Sequence, residues 1–223
     1  MIPREHIGTA RVPGGEELRL FRHGRDFIIS LDRNELMSTR MSGSEEALAT
    51  MSVERLNGNR APHLLIGGYG MGFTLRAALA VLCEDARVTV AEIVPEIVAW
   101  AKGPMTELTA GCLDDPRVML VMEDVGMLID AATGGYDAIL LDVDNGPEGL
   151  TRDDNDFLYS RRGLQSARTA LKPGGVLAIW SAHREPAFTR RLHEAGFAVE
   201  EVSVRARSNG KGARHVIWFA TKR

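Results

Sequence analysis

Glu92, Asp124 and Asp142 each close an apolar run of strand character, and a glycine cluster, Gly68-x-Gly70-x-Gly72, closes the run before them. In open α/β sheets ligands sit outside the carboxyl ends of the strands, so a series of such ends describes one binding cleft. Glycines in a strand-to-helix turn let a ligand approach the backbone where the helix N-terminus points outward. Glu92, twenty residues after Gly72, is spaced to accept hydrogen bonds from both hydroxyls of a ribose. Asp124 could accept the exocyclic amine of adenine while Ile93 and Val125 pack on the ring faces; it could also cap the helix that begins at Val125. Asp142 opens the segment Asp142-Val-Asp144-Asn145-Gly-Pro147. Two carboxylates and an amide there can orient an amine and take up its proton, although the same residue types also build turns.

The glycine spacing narrows the ligand. A dinucleotide fingerprint requires a small residue at position 73, where helix and strand pack closely, and that residue is Phe73. No Lys-Ser/Thr pair follows to suggest a P-loop. The turn therefore suits a nucleotide without a pyrophosphate, and the acids that follow describe an adenosine-shaped ligand.

Regular elements must hold these groups in place. Apolar runs predict strands near residues 63–68, 88–92, 118–122, 137–142 and 175–180, with helices near 72–84, 94–102, 125–132 and 160–172. This alternation predicts a parallel sheet covered by helices on both faces. Two further strands, Phe197 to Val204 and Arg214 to Thr221, flank Ser208-Asn-Gly-Lys-Gly212, and so short a turn joins only antiparallel neighbours. The fold class is α/β, a doubly wound Rossmann-like sheet of the class I methyltransferase type ending in an antiparallel hairpin.

Residues 1–60 have a different texture. Glu17 to Phe21 and Asp26 to Leu31 read as short strands around His23-Gly24, with a third near Leu36-Met37. Ser42-x-x-Glu45 has the form of a capping box and opens a helix to about Leu56, with Glu45 and Glu46 favourable at its N-terminus. A β-meander and linking helix (1–60) are thus expected ahead of an adenosyl-nucleotide-binding catalytic domain (61–223). So few strands bury little surface alone, so the meander should serve as an interface or a lid.

Composition excludes several classes. The net charge of −3 gives no pull toward nucleic acid or an anionic membrane. No apolar run approaches the roughly 20 residues of a spanning helix, and the polar start Met1 to His6 lacks a signal-peptide core. A cytoplasmic protein acting on a small molecule is expected. The histidines are scattered without ligand spacing, so no metal is expected, and Cys83 and Cys112 are expected as unpaired, buried apolar residues.

The ordered set GGYGMG, AEIVPE, MEDVGM, LLDVDNGP, LYS and LKPGG resembles the spermidine synthase family of aminopropyltransferases over about residues 60 to 222, and LMSTRMSGSEEALA looks like that family's passage from meander to core. The resemblance implies the class I methyltransferase sheet behind an N-terminal meander and a homodimer formed through that meander. It also implies decarboxylated S-adenosylmethionine as the donor and a diamine as the acceptor. It places Glu92 and Asp124 on ribose and adenine, and Asp142 as the proton acceptor. Two positions depart from the family's pattern. Gly70 stands where the family has an Asp that holds the aminopropyl amine, and Asn145 stands where it has a diamine-binding Asp, with Asp144 one place earlier. Intact S-adenosylmethionine carries an extra carboxylate, which fewer acids and the backbone N–H groups of the glycine turn would suit. The reading of the residues therefore favours methyl transfer from S-adenosylmethionine to a small-molecule acceptor. Aminopropyl transfer to a polyamine stays open, as does a non-catalytic adenosyl-nucleotide-binding protein. In either reaction Tyr69 could set its ring near the sulfonium through a cation–π contact, or simply pack on the helix.

Overall fold

A computed structural model describes residues 3–15, 17–31, 34–143 and 156–223. Asp144 and Asn145 lie outside the described residues. The chain begins with an antiparallel sheet of four strands in sequential order: β1 (Glu5–Arg11), β2 (Glu17–His23), β3 (Asp26–Leu31) and β4 (Asn34–Ser38). Alternation shapes β2, where Leu18 and Leu20 are buried and Arg19 is exposed. The first strand was not legible in the sequence. Its apolar alternation is broken by a register shift between His6 and Gly8, and Gly8 lies so close to Trp100 that a Cβ would come within 2.8 Å of the indole nitrogen.

Helix α1 (Gly43–Glu54) follows, inside the predicted span, but the capping box does not form. Ser42 has helical backbone angles and makes no side-chain cap bond, and the buried Glu45 carboxyl accepts from Ser44 Oγ. The helix start is docked by tertiary contact: the Gly43 N–H donates to the Ala206 carbonyl at 2.9 Å.

The alternating region then runs β5 (His63–Gly67), α2 (Phe73–Val81), β6 (Arg87–Ala91), α3 (Pro95–Lys102), the short α4 (Thr106–Thr109), β7 (Val118–Val121), α5 (Val125–Ala131) and β8 (Tyr136–Leu141). It continues through α6 (Asp156–Tyr159), α7 (Arg161–Ala170), β9 (Leu171–Ser181), α8 (Pro186–Glu194), β10 (Phe197–Arg205) and β11 (Arg214–Lys222). These strands form one seven-stranded sheet in the order β10-β11-β9-β8-β5-β6-β7. The five strands β5 to β9 are parallel, and β11 inserts antiparallel between β9 and β10. That is the expected class I methyltransferase-type architecture with its terminal hairpin. Helix α8 was not foreseen in the loop after β9; Pro186 at its first turn sets it going with the ring's fixed backbone angle.

The sheet buries both faces. Every residue of β8 is buried, as a central parallel strand requires. On one face Leu64, Ile66 and Val90 share a continuous apolar cluster with Leu20 and Ile29 of the meander. The meander therefore packs onto the larger sheet through a common core. No helix among the described residues is long and apolar enough to cross a membrane. Of the cysteines, Cys112 is buried as expected, but Cys83 is exposed, just beyond α2, where its thiol reaches the Arg60 carbonyl.

Candidate active site

The carboxyl ends of β5, β6, β7 and β8 open into one cleft, and the fold brings most of the predicted residues to it. Gly68, Gly70, Glu92, Ile93, Asp124, Val125 and Asp142 all line the same pocket. Its outer wall comes from the meander, expected as an interface or a lid. Val12, Leu18, Ile29, Leu36 and Met37 of the N-terminal segment complete it. The apolar side of a meander signals burial, but nothing in the sequence says against what.

The glycine turn owes its shape to backbone angles that side chains rarely adopt: φ is 83° at Gly68, 54° at Gly70 and 76° at Gly72. A Cβ on Gly68 would come within 2.6 Å of the Asp142 carbonyl oxygen, so the two loops touch backbone to backbone. Above Gly70 sits Met37, whose Cε and Sδ would be 2.8 and 3.0 Å from a Cβ there. The position lacking an acid is thus roofed by a thioether from β4. Gly72 stands immediately before α2 and under the Tyr69 ring, 2.7 Å from its hydroxyl to a built Cβ.

Tyr69 itself faces away from the cleft. Its hydroxyl lies 3.4 Å from Cys112 Sγ, and its side chain is 5% exposed. Burial pushes that phenol's pKa up. Of the two placements foreseen for the ring, packing beside α2 is the one the structure shows: it lies against Gly72 and Cys112. The Tyr69 N–H donates to Glu92 Oε2 at 3.0 Å.

Glu92 is buried at the end of β6 and held by three backbone donors. Besides Tyr69, the N–H groups of Ile93 and Val94 reach Oε1 at 2.8 and 2.9 Å. A carboxylate has about four lone-pair sites, so the oxygen bound by one N–H keeps acceptor capacity for a hydroxyl. The backbone bonds preorganise the acid without consuming it. Asp124 caps α5: its Oδ1 accepts the Gly126 N–H at 2.7 Å, and the residue lines the cleft as well. The capping role foreseen for it is thus formed, with the residue at the cleft wall. Val125 is buried against Gly67, where a Cβ would meet its methyl at 2.9 Å, so a glycine there lets the flat wall approach the strand.

Asp142 lies just past β8 and accepts from Thr74 Oγ1, in the first turn of α2, at 2.8 Å. Desolvation raises its pKa above the usual carboxylate range, with the Thr74 bond acting against it. A second acid that the sequence reading had assigned to helix capping is close by. Glu45 is 8% exposed, and burial together with the charge of Asp142 holds its carboxyl well above the ordinary carboxylate range. Its signal in the sequence was ambiguous, because an acid three residues after a serine at a helix start reads as a cap. Trp180, near the end of β9, is buried edge-on to His215, while Arg184 beyond the strand pairs with Glu201 on the surface. Among the described residues no three acidic, His or Cys side chains converge as a metal site.

Known proteins were compared on this basis. Residues 42–195 match the spermine/spermidine synthase domain family. The chain is 29% identical to a polyamine aminopropyltransferase of Mycobacterium tuberculosis over 194 residues, 82% of this chain and 35% of that protein. It is 36% identical to putrescine N-methyltransferase 4 of Nicotiana tabacum over 123 residues, 52% of this chain and 30% of that one. The chain therefore spans about a third of the length of the curated relatives it matches. A spermidine synthase from Thermotoga maritima has a similar structure, with a TM-score of 0.75 over 98% of this chain and 73% of that one. At 18% identity that likeness concerns the fold.

Proposed function

The chain belongs to the spermine/spermidine synthase domain family, and from that premise we propose that it transfers the aminopropyl group of decarboxylated S-adenosylmethionine to an amine. The observation that carries this reading is the convergence of Glu92, Asp124 and Asp142 on one cleft. The fit rests on the donor set. Glu92 offers an acceptor to ribose hydroxyls, Asp124 one to an exocyclic amine, and Ile93 and Val125 give apolar faces for a flat base. The relatives lean the same way: the polyamine aminopropyltransferase of Mycobacterium tuberculosis matches over 82% of the chain and putrescine N-methyltransferase 4 over 52%. This reverses the order in which the sequence alone ranked the two transfers.

The bound donor supplies a carbon activated by its sulfonium; the protein aligns and deprotonates. Asp142 accepts the proton of the incoming ammonium, and its raised proton affinity makes it a stronger base than a solvated aspartate. Thr74 holds its Oδ2, so the acid presents one orientation. The meander side chains over the cleft exclude water and narrow the angle of approach, and alignment of this kind supplies much of the acceleration. Asp144 and Asn145 belong to the same proposal as groups that orient the acceptor.

One observation favours methyl transfer as a second reading. Gly70 and the Met37 roof leave no carboxylate beside the donor's tail at that position, which suits intact S-adenosylmethionine. Calorimetry with both donors, followed by turnover of putrescine, separates the readings. Tighter binding of the decarboxylated donor with release of the thioether nucleoside supports aminopropyl transfer; methylated amine from the intact donor replaces it. Product binding without turnover of any amine would leave the non-catalytic reading. The edge strands β1 and β4 of the meander support a homodimer, and light scattering at micromolar concentration tests it.

A further inference from the structure

Polar groups extend from Asp142 toward the surface in two hydrogen-bonded pieces that meet at Glu45. Thr74 Oγ1, hydrogen-bonded to Asp142, lies 3.5 Å from the Glu45 carbonyl oxygen, which brings the first turn of α1 against the catalytic acid. The Glu45 carboxyl accepts from Ser44 Oγ at 2.7 Å, and the same Ser44 Oγ is 2.9 Å from His215 Nδ1. Ser44 is fully buried, whereas His215, near the start of β11, is half-buried with its ring edge-on to Trp180. The charged groups acting on Glu45 are Asp142 and Glu46, and His183 acts on His215. Nothing in the alignment of the nucleotide requires this line.

Transfer to an amine does require something of the kind. The acceptor arrives as an ammonium and gives one proton to Asp142. Its nitrogen lone pair then forms the N–C bond as the C–S bond breaks, and that bond's electron pair stays on sulfur. One proton per turnover is left on Asp142 and must depart before the next cycle.

We propose that Glu45, Ser44 and His215 form the outlet by which this proton reaches solvent. The proposal rests on the reading of the site as an amine-directed transferase. Glu45, whose carboxyl feels the neighbouring charge of Asp142, takes up the proton and passes it to Ser44 Oγ; Ser44 gives its own proton to Nδ1 of His215; His215 releases the proton on Nε2. A hydroxyl both donates and accepts, so the line resets by rotation of the Ser44 O–H bond and return of His215 to its Nε2–H tautomer by proton exchange with solvent. Burial and the charge of Asp142 strengthen the proton's hold on Glu45, so Glu45 draws the proton from Asp142. Burial together with His183 weakens its hold on His215, so the step to His215 is uphill and is driven by rapid release from the half-buried ring to solvent.

The test compares wild type with Ser44→Ala and His215→Ala, using calorimetry with decarboxylated S-adenosylmethionine and steady-state turnover of putrescine, each with and without imidazole. Donor affinity should stay within about twofold while kcat falls about tenfold or more, and imidazole should restore His215→Ala. Wild-type kcat in both variants, or a loss that imidazole does not restore, overturns the outlet. A wild type that binds donor and transfers nothing to any amine overturns the reading of the site instead. A readout independent of turnover and of the alanine variants is the NMR titration of His215. Its midpoint should move in Glu45→Gln relative to wild type, and an unmoved midpoint overturns the outlet.

Discussion

Two acids at the centre of the cleft differ in how they are held, and the difference sets what each substitution does. Glu92 is fixed by three backbone N–H groups, so Glu92→Ala removes a preorganised acceptor. Hydrogen bonds to a charged group contribute about 1.5–3 kcal/mol, so calorimetry should show donor affinity lowered by roughly ten- to a hundredfold. Asp142→Asn keeps the shape and the Thr74 contact but cannot take a proton. It should bind donor like wild type and lose about a hundredfold or more in kcat, and equal kcat would remove Asp142 from the chemistry. Glu45 and Asp142 also make stability depend on pH. Both carboxyls are raised in the native state, so the folded protein binds more protons than the unfolded chain. Their contribution is fully present below the ordinary carboxylate range and is lost as pH rises through the raised native values. The half-buried His63 and His215 are lowered and act in the opposite sense, so the difference between variants is the useful quantity. The melting temperature of Glu45→Gln relative to wild type should rise between about pH 5 and pH 8.

At the scale of elements, the parallel strands and their helices were legible because long apolar runs punctuated by glycine admit few alternatives. The predicted acids fell at strand ends for the same reason, and all those within the described residues reach the cleft. What escaped were elements whose local signal is weak: β1, interrupted at Gly8, and α8, begun by Pro186. The start of α1 was misread because a local rule was overridden by a tertiary one. Ser42 and Glu45 satisfy the capping pattern, yet the helix start is anchored on the β10–β11 turn, and Glu45 is left free to serve the interior. That anchoring is tight. A Cβ at Gly43 would lie 2.4 Å from the backbone of Arg207 and Ser208. Gly43→Ala should therefore destabilise by about 1–3 kcal/mol, and a melting temperature lowered by a few degrees checks it. Wild-type stability would mean that the hairpin turn yields at no cost.

For the whole molecule, the decisive fact is that the two sheets share one apolar cluster. Leu20 and Ile29 are buried in it beside Leu64 and Ile66, although they belong to a different sheet. Removing either side chain should destabilise the entire chain. Ile29→Ala should cost about 2–5 kcal/mol, seen as one earlier transition by both circular dichroism and tryptophan fluorescence rather than as separate melting of the meander. Two transitions would show that the sheets fold independently.

Met37 over Gly70 carries a consequence for how such a cleft diversifies. The side chain against Gly70 comes from β4 of the meander, not from the larger sheet that carries Glu92, Asp124 and Asp142 at its strand ends. Substitution at that roof alters the allowance for the tail while Glu92, Asp124 and Asp142 stay untouched. Under the proposed function, Met37 is therefore the position at which the transferred group can be changed while the catalytic scaffold is kept as a constant chassis.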